Sequence, residues 1–547
     1  MKKLLTTIMI AAASVSAVGK EYNDLLTVTV DGKVMSSAQT VINVDKNDDG
    51  TYNMTLKNFK LGVLKIGTIV IDNVPAVSNG QTTMLKVSRD IKIQKGEGTG
   101  PWIGESLGNV PVNMAGELRD NDNKFYTNIT ISMSVQGAQQ NINVEFGDGR
   151  YQLPNAGFEA FHTASLTQPT DPDDPDENPE TVTSDEPDNW HSFMSASGPE
   201  GMVYLAGFNP VTFKSNEVRP GSTGKQSVML KSVNIMGPGF IANGTITTGR
   251  MNTGGMSAAD ATTNYAWSDI TTTDKDAHGD PFFATIYSRP DAMKVWVKYT
   301  QEAGDPNYPY ATATAILNDG TRLQEPAAEG VTYNNIVGEA RDPQIADTKG
   351  EWKELSIPFS YKDFASNNAT AKSVLVTFST NAAPGQGSHS DENAAAADVL
   401  YVDDMSFVYN AGLAAVTFTD PQGSVYLLNV EEGKNNYAAT LPFDVTASNF
   451  KAMSDGQGAY VSTTLADGKA TIEITSNDLK TTNIYTVDIK KGDASGVTSS
   501  ISDIATEDDN TVKAVFTIDG KRVNAMDKAG LYIVKMANGQ SKKVLKK

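Results

Sequence analysis

The chain has no cysteine, which removes disulfides, thiolate catalysis and cysteine-ligated zinc. It also leaves no residue to carry a lipid anchor behind a leader peptide. Histidine is scarce: His162, His191, His278 and His389 are the four. None are spaced i, i+4 as a helical metal pair requires, so a zinc hydrolase is not expected. Basic residues are outnumbered, 45 Lys and Arg against 65 Asp and Glu, for a formal charge of −20. Phosphate binding needs a positive face, so nucleic acid is not an expected partner, nor is an anionic lipid surface. Long apolar runs are missing too. Nothing approaches the ~20 apolar residues of a membrane helix, so no membrane-spanning segment is expected.

What is present points to strands. The 46 glycines, with abundant Thr, Val, Asn and Asp, favour strands joined by tight turns. At 547 residues the chain is too long for one core, and about three or four domains are expected. The expectation is an all-β, multidomain protein.

Residues 1–17 read as a signal peptide: Lys2 and Lys3, an apolar run from Leu4 to Ala13, then small residues at Val15-Ser16-Ala17. This implies export through the inner membrane. From 22 to 150 the pattern alternates, with Asp31-Gly32 and Asp49-Gly50 as hairpin turns. Strands are expected at Leu25–Val30, Val41–Val44, Tyr52–Leu56, Ile66–Ile71, Phe125–Met133 and Ile142–Phe146. The Asp-Gly-Thr-Tyr hairpin, Leu56-Lys57-Asn58-Phe59 and Phe125 to Thr130 resemble the calycin-like barrel domain of exported Bacteroidetes proteins. Trp102 either lines the mouth of such a barrel, or packs against the barrel or caps one end. Asp45 to Gly50 matches half of a calcium loop, but Leu56 stands where the bidentate acid belongs, so a plain turn is expected. Gly104 to Gly108 has the letters of a nucleophile elbow, yet Pro101, Asn109 and Pro111 flank it and a loop is expected.

Residues 153–410 read as a larger β-sandwich, opening at Asn155-Ala156-Gly157-Phe158-Glu159 and closing at Leu400 to Phe407, with an acidic, proline-rich insert at 168–189. These ends, with Trp190, Gly224 to Leu230, Trp352, Pro358-Phe359 and Tyr401 to Asp404, resemble the carbohydrate-metabolism domain of Bacteroidetes surface proteins and, more broadly, the jelly roll of carbohydrate-binding modules. The resemblance implies a structural Ca²⁺ held by Glu159 with Asp403 and Asp404. The alternative places both aspartates at a strand edge, solvated or accepting turn hydrogen bonds.

Sugars stack their C–H faces on aromatic rings and bond their hydroxyls to polar side chains. In Met293 to Tyr299, alternation puts Trp296 on the face opposite Val295, Val297 and Tyr299. Trp296 is therefore a candidate glycan platform, and Tyr265 with Trp267, in a loop context, a second. Trp190 and Trp352 read as core. No carboxylate pair can be singled out for glycosidase chemistry, and no catalytic residue is named.

Residues 412–493 alternate as a short immunoglobulin-like sandwich, a spacer. A Ser/Asp/Thr-rich linker spans 494–510. Residues 511–547, with Asp519-Gly520, Gly530-Leu531-Tyr532-Ile533-Val534 and a lysine-rich end, resemble the C-terminal sorting domain of type IX secretion, which implies the sorting machinery as a partner and a secreted or outer-membrane cell-surface location. The leading functional expectation is a non-catalytic glycan-binding protein. A structural or adhesive surface protein, a glycan-active enzyme and ligand transport in the barrel are the alternatives.

Overall fold

The computed structural model describes residues 19–119, 123–135, 138–168, 179–235, 241–257, 260–301, 310–380 and 398–499. Of the C-terminal segment it describes 512–517, 522–523, 526, 530–536 and 541–546. The expected leader, residues 169–178 of the acidic insert and 500–511 of the linker region lie outside the described residues. The protein is all-β, and the chain divides into two compact units, Met1–Tyr409 and Asn410–Lys547.

The first unit begins with nine antiparallel strands: β1 (Lys20–Val30), β2 (Lys33–Lys46), β3 (Tyr52–Leu61), β4 (Leu64–Val74), β5 (Ala76–Ser78), β6 (Thr83–Lys92), β7 (Asn109–Arg119), β8 (Lys124–Val135) and β9 (Ala138–Phe146). Neighbours in sequence pair except β4 and β5, which end the strand order, and β9 returns to β1. Closure comes where β4 meets the run past β6, through reciprocal Thr68–Gln94 backbone bonds of 2.9 Å. An up-and-down closed barrel leaves no free edge.

The Asp31-Gly32 and Asp49-Gly50 turns form because both glycines take positive φ, 80° and 86°. In the second turn, Asp49 Oδ1 accepts from Thr51 N at 2.9 Å, so the acid serves the hairpin. Three strands, β5, β6 and β7, go beyond the sequence expectation. Asn109 and Pro111, expected in a loop, begin β7, where Pro111 sits within the first three residues and tolerates its missing N–H. Gly104–Leu107 forms a 3-10 turn in which Ser106 Oγ donates to Ile103 O at 2.6 Å. It is no nucleophile elbow.

A buried joint ties the barrel to the sandwich. Arg119, at the end of β7, is 4% exposed. Its Nε donates to Glu117 at 2.6 Å, and its terminal nitrogens donate to Asp148 O at 2.9 Å and Gly149 O at 2.7 Å. The guanidinium also lies 4.7 Å from the Tyr287 ring. Burial alone would lower its pKa, but the Glu117 charge more than offsets this and holds the proton on.

The sandwich stacks three sheets. A five-stranded sheet runs Thr212–Ser215, Ser227–Lys231, Val399–Val408, Ala292–Thr300, Lys353–Pro358. A second sheet holds Thr245–Thr247, Ser373–Ser379, Ala311–Asn318 and Ile336–Ile345. Ala311–Asn318 and Ser373–Ser379 are buried along their whole length. A small third sheet, Arg250–Thr253, Asn264–Ser268 and Leu323–Glu325, covers their far side: Ala266 and Leu323 pack on Ile316 and Leu375. The five-stranded sheet instead alternates, with Met293, Val295, Val297 and Tyr299 fully buried and Lys294, Trp296 and Lys298 half-buried on the other face.

The opening segment docks on the closing strand. Met405 N donates to Ala156 O at 2.9 Å, and Gln152 bonds both ways with the Phe407 backbone. Residues 155–159 form a turn held by Asn155 Oδ1, which accepts from the Glu159 and Ala160 N–H groups at 3.0 Å each. The opening of the sandwich is therefore a turn and not a strand.

In the second unit, two four-stranded sheets enclose a core that includes Val416, Phe418, Leu441, Ile472, Ile474 and Val487. A separate sheet built on Val512–Thr517, Arg522–Val523, Gly530–Met536 and Ser541–Lys546 has its own small core of Val515, Tyr532 and Val534.

Candidate functional site

The open face of the five-stranded sheet collects aromatic side chains by register. Lys298 pairs with Tyr401, Tyr401 with Met229, and Met229 with Phe213, so these four side chains form a row across four strands. All four are half-buried. Lys298 Nζ lies 4.3 Å from the Tyr401 ring centroid, and Trp352 meets Tyr401 edge-on at 6.2 Å. Trp296 stands on the same strand face, two residues from Lys298 and opposite Asp403 and Glu354. Lys298 also pairs with Glu217, and Lys294 with Glu354. Aromatic rings thus sit among charged donors and acceptors on an uncovered sheet.

Arg219 organises one end of this face. Its guanidinium lies 5.3 Å from the Trp296 ring, and its Nε donates to Asp404 Oδ2 at 2.6 Å. Its backbone N–H donates to Asp403 Oδ2 at 2.8 Å. The two aspartates differ because the pairing register slips between Lys294 and Trp296, and Asp404 takes a left-handed backbone at φ 43°. Asp404, half-exposed, also accepts from Ser222 Oγ at 2.9 Å. Asp403 is fully buried, and its Oδ1 meets no hydrogen-bond donor. Burial pushes its pKa up.

Glu159 is held by a different segment from that pair. Both of its carboxylate oxygens accept from Lys225 N, at 3.0 and 2.9 Å, and Oε1 also accepts from Gln226 N at 3.2 Å. The opening and closing segments therefore do meet here. Among the described residues, however, Glu159, Asp403 and Asp404 do not gather three ligand atoms within 4.8 Å. Arg219 and backbone N–H groups bond Glu159, Asp404 Oδ2 and Asp403 Oδ2, while Asp403 Oδ1 is left without a donor.

The second aromatic pair takes a different environment from the one expected. Tyr265 and Trp267 lie in the strand Asn264–Ser268, not a loop, and Trp267 is buried beneath Arg322, whose guanidinium is 4.1 Å from its ring. The strand sits between two partners of the covering sheet, and Trp267 Nε1 donates to Ser197 Oγ at 3.5 Å. Trp190 is fully buried against Phe158 and Phe378. Trp352 departs from its core reading: it is half-buried, on the open face. Sequence reasoning missed Tyr401, Met229 and Phe213 as site residues, although the alternation Leu400-Tyr401-Val402 carries the same signal as Val295-Trp296-Val297.

The barrel interior is filled by its own side chains. Leu26, Met54, Leu56, Ile71, Ile129 and Phe146 are among those enclosing a void of only about 30 Å³, room for about one water. Trp102 is buried, with Lys65 Nζ 5.6 Å from its ring, and is not part of that lining. It caps the barrel.

Three histidines, far apart in sequence, are gathered at the other side of the sandwich. His162 and His278 stack with ring centroids 4.3 Å apart, and His162 and His191 both approach Asp276. The spacing of the histidines along the chain gave no hint of this.

Among the described residues no helix is long and apolar enough to cross a membrane. No curated protein matches the chain. Residues 18–148 match the family of calycin-like beta-barrel domains, so the chain carries a calycin-like barrel within an all-β, multidomain protein.

Proposed function

We propose that this is an exported binding protein that holds glycans on the open face of the five-stranded sheet and does no chemistry on them. The calycin-like match suggests a binding protein in general, but the filled barrel directs the binding elsewhere. The observation that carries the reading is the half-exposed set Trp296, Tyr401 and Trp352, set among Arg219, Lys298, Glu217 and Glu354 on one uncovered face. Rings offer stacking surfaces for sugar C–H groups, and the charged neighbours suit hydroxyls. Export to the surface, with the type IX sorting machinery as partner, is supported by the leader-like start and by the resemblance of residues 511–547 to sorting domains. Calcium at Glu159, Asp403 and Asp404 would have to displace Arg219 from Asp404. The test is a panel of immobilised polysaccharides probed with the full chain. Retention by one saccharide class, without release of free sugar, supports the reading. Release of sugar would make the protein an enzyme, and a silent panel would favour an adhesive or structural role.

A further inference from the structure

The hairpin of β10 (Phe161–Thr167) and β11 (Thr181–Pro187) puts His162 directly opposite Glu186. His162 Nε2 lies 3.7 Å from Glu186 Oε2 and 3.7 Å from Asp276 Oδ2. The three atoms form one group, all within 4.8 Å of one another. His191 Nδ1 stands 3.5 Å from Asp276 Oδ2, on the far side.

Each of these side chains is held from behind. Glu186 Oε1 accepts from Ser192 N at 2.7 Å. Asp276 Oδ1 accepts from Gly279 N and Asp280 N at 2.8 Å each. His162 Nδ1 is 3.2 Å from Asp188 Oδ1, and His191 Nε2 is 3.1 Å from Pro281 O. A carbonyl oxygen can only accept, so His191 Nε2 carries its proton, as His162 Nδ1 does toward a carboxylate. Such outer partners are what orient metal-ligating imidazoles and carboxylates.

The inward-pointing atoms are the unsatisfied ones. Glu186 Oε2, Asp276 Oδ2 and His191 Nδ1 are sealed from solvent and meet no hydrogen-bond partner. Glu186 and His191 are fully buried, and the Asp276 side chain is 3% exposed. Carboxylate oxygens and imidazole lone pairs brought together without donors repel unless a cation sits among them. The separations also suit one: ligands about 2.0–2.2 Å from a tetrahedral ion lie roughly 3.3–3.6 Å apart.

We propose that His162 Nε2, Glu186 Oε2 and Asp276 Oδ2 bind a divalent transition metal of the zinc class, with His191 orienting Asp276. Imidazole in the donor set selects against Ca²⁺ and Mg²⁺, which prefer oxygen throughout. The site is open on one side. His162, Glu186 and Asp276 line a cavity of about 440 Å³, shared with Arg250, His278 and Phe282. This site is separate from the glycan face and does not depend on it.

The competing account is a proton in place of the metal. The Glu186 and Asp188 carboxylates hold the His162 pKa up to about 9, against a desolvation cost, and an imidazolium would neutralise part of the charge.

The test uses the full chain, stripped with chelator and titrated with Zn²⁺, with Ca²⁺ as control. One Zn²⁺ per chain, a raised melting temperature and a visible Co²⁺ absorption band are expected. The variant Glu186→Gln with Asp276→Asn should keep the fold by circular dichroism and lose at least about 100-fold in Zn²⁺ affinity. No stoichiometric Zn²⁺ binding, or affinity unchanged in the variant, overturns the proposal in favour of the protonated cluster. Should the double variant fail to fold, the wild-type cobalt spectrum decides. A band from a four- or five-coordinate ion with nitrogen and oxygen ligands upholds the site, and no band at saturating Co²⁺ overturns it.

Discussion

Arg219 lies across Trp296, 5.3 Å from the ring centroid, while its Nε is bonded to Asp404 at 2.6 Å. The ring is thereby fixed in place by a cation that is itself fixed, and a pre-ordered platform loses less entropy on binding. Arg219→Met keeps the stem but removes the guanidinium. Glycan affinity should fall by about 5-fold through the lost cation–π and ordering contributions. Isothermal titration of both proteins checks this, and unchanged affinity would show that Arg219 does not hold the platform.

The Arg119–Glu117 pair is buried, with side chains 4% and 1% exposed. Removing the cation strips a buried carboxylate of its charge partner, which costs about 3–5 kcal/mol. Arg119→Met should lower the urea midpoint accordingly. Because Arg119 also donates to Asp148 O and Gly149 O, where the barrel hands over to the sandwich, a two-step transition is expected where the wild type gives one for these two bodies. A loss of unfolding free energy under about 1 kcal/mol, the worth of an exposed pair, would contradict the buried-pair account.

A barrel with a void of about 30 Å³ has no room for a lipophilic guest. The wild type should not enhance the fluorescence of an anilinonaphthalene dye. Met54→Ala, in the barrel core, should cost about 2–5 kcal/mol by leaving a cavity. Stoichiometric dye uptake by the native chain, displaced by fatty acid, would show that the interior opens.

Asp403 is a pH probe of the calcium expectation. Burial raises its folded-state pKa, so the fold favours the protonated form. The penalty is absent below the unfolded value, about 3.9, and grows as pH rises through the raised one. Asp403→Asn should therefore melt higher than wild type near neutral pH, with the gap closing toward about pH 4. A bound Ca²⁺ would reverse the sign: the variant would be less stable at neutral pH, and only when calcium is present.

The parts legible in the sequence were those where local chemistry and tertiary role agree. Asp31-Gly32 and Asp49-Gly50 can hardly be other than turns, and the alternation around Trp296 needs only one buried face to be decisive. Strands β6 and β7 were hidden by Pro111 and by polar residues that face out of the barrel. The burial of Trp267 was not legible because the groups that close over it, Arg322 and Ser197, lie far from it in the chain. The histidine cluster was illegible for the same reason. His162 meets Glu186 through hairpin register and Asp276 through tertiary packing, and neither leaves a spacing to read.

The open aromatic face is tested most directly by titrating the wild type and Trp296→Ala with the saccharide class retained on the polysaccharide panel, while monitoring the melting temperature of both. The ring is half-buried on an outer face, so the variant should fold with its melt nearly unchanged and bind at least about 30-fold more weakly, as expected for loss of an aromatic hot spot. Equal affinity in the two proteins would contradict the account, and the saccharide would then be held somewhere other than the sheet face that carries Trp296.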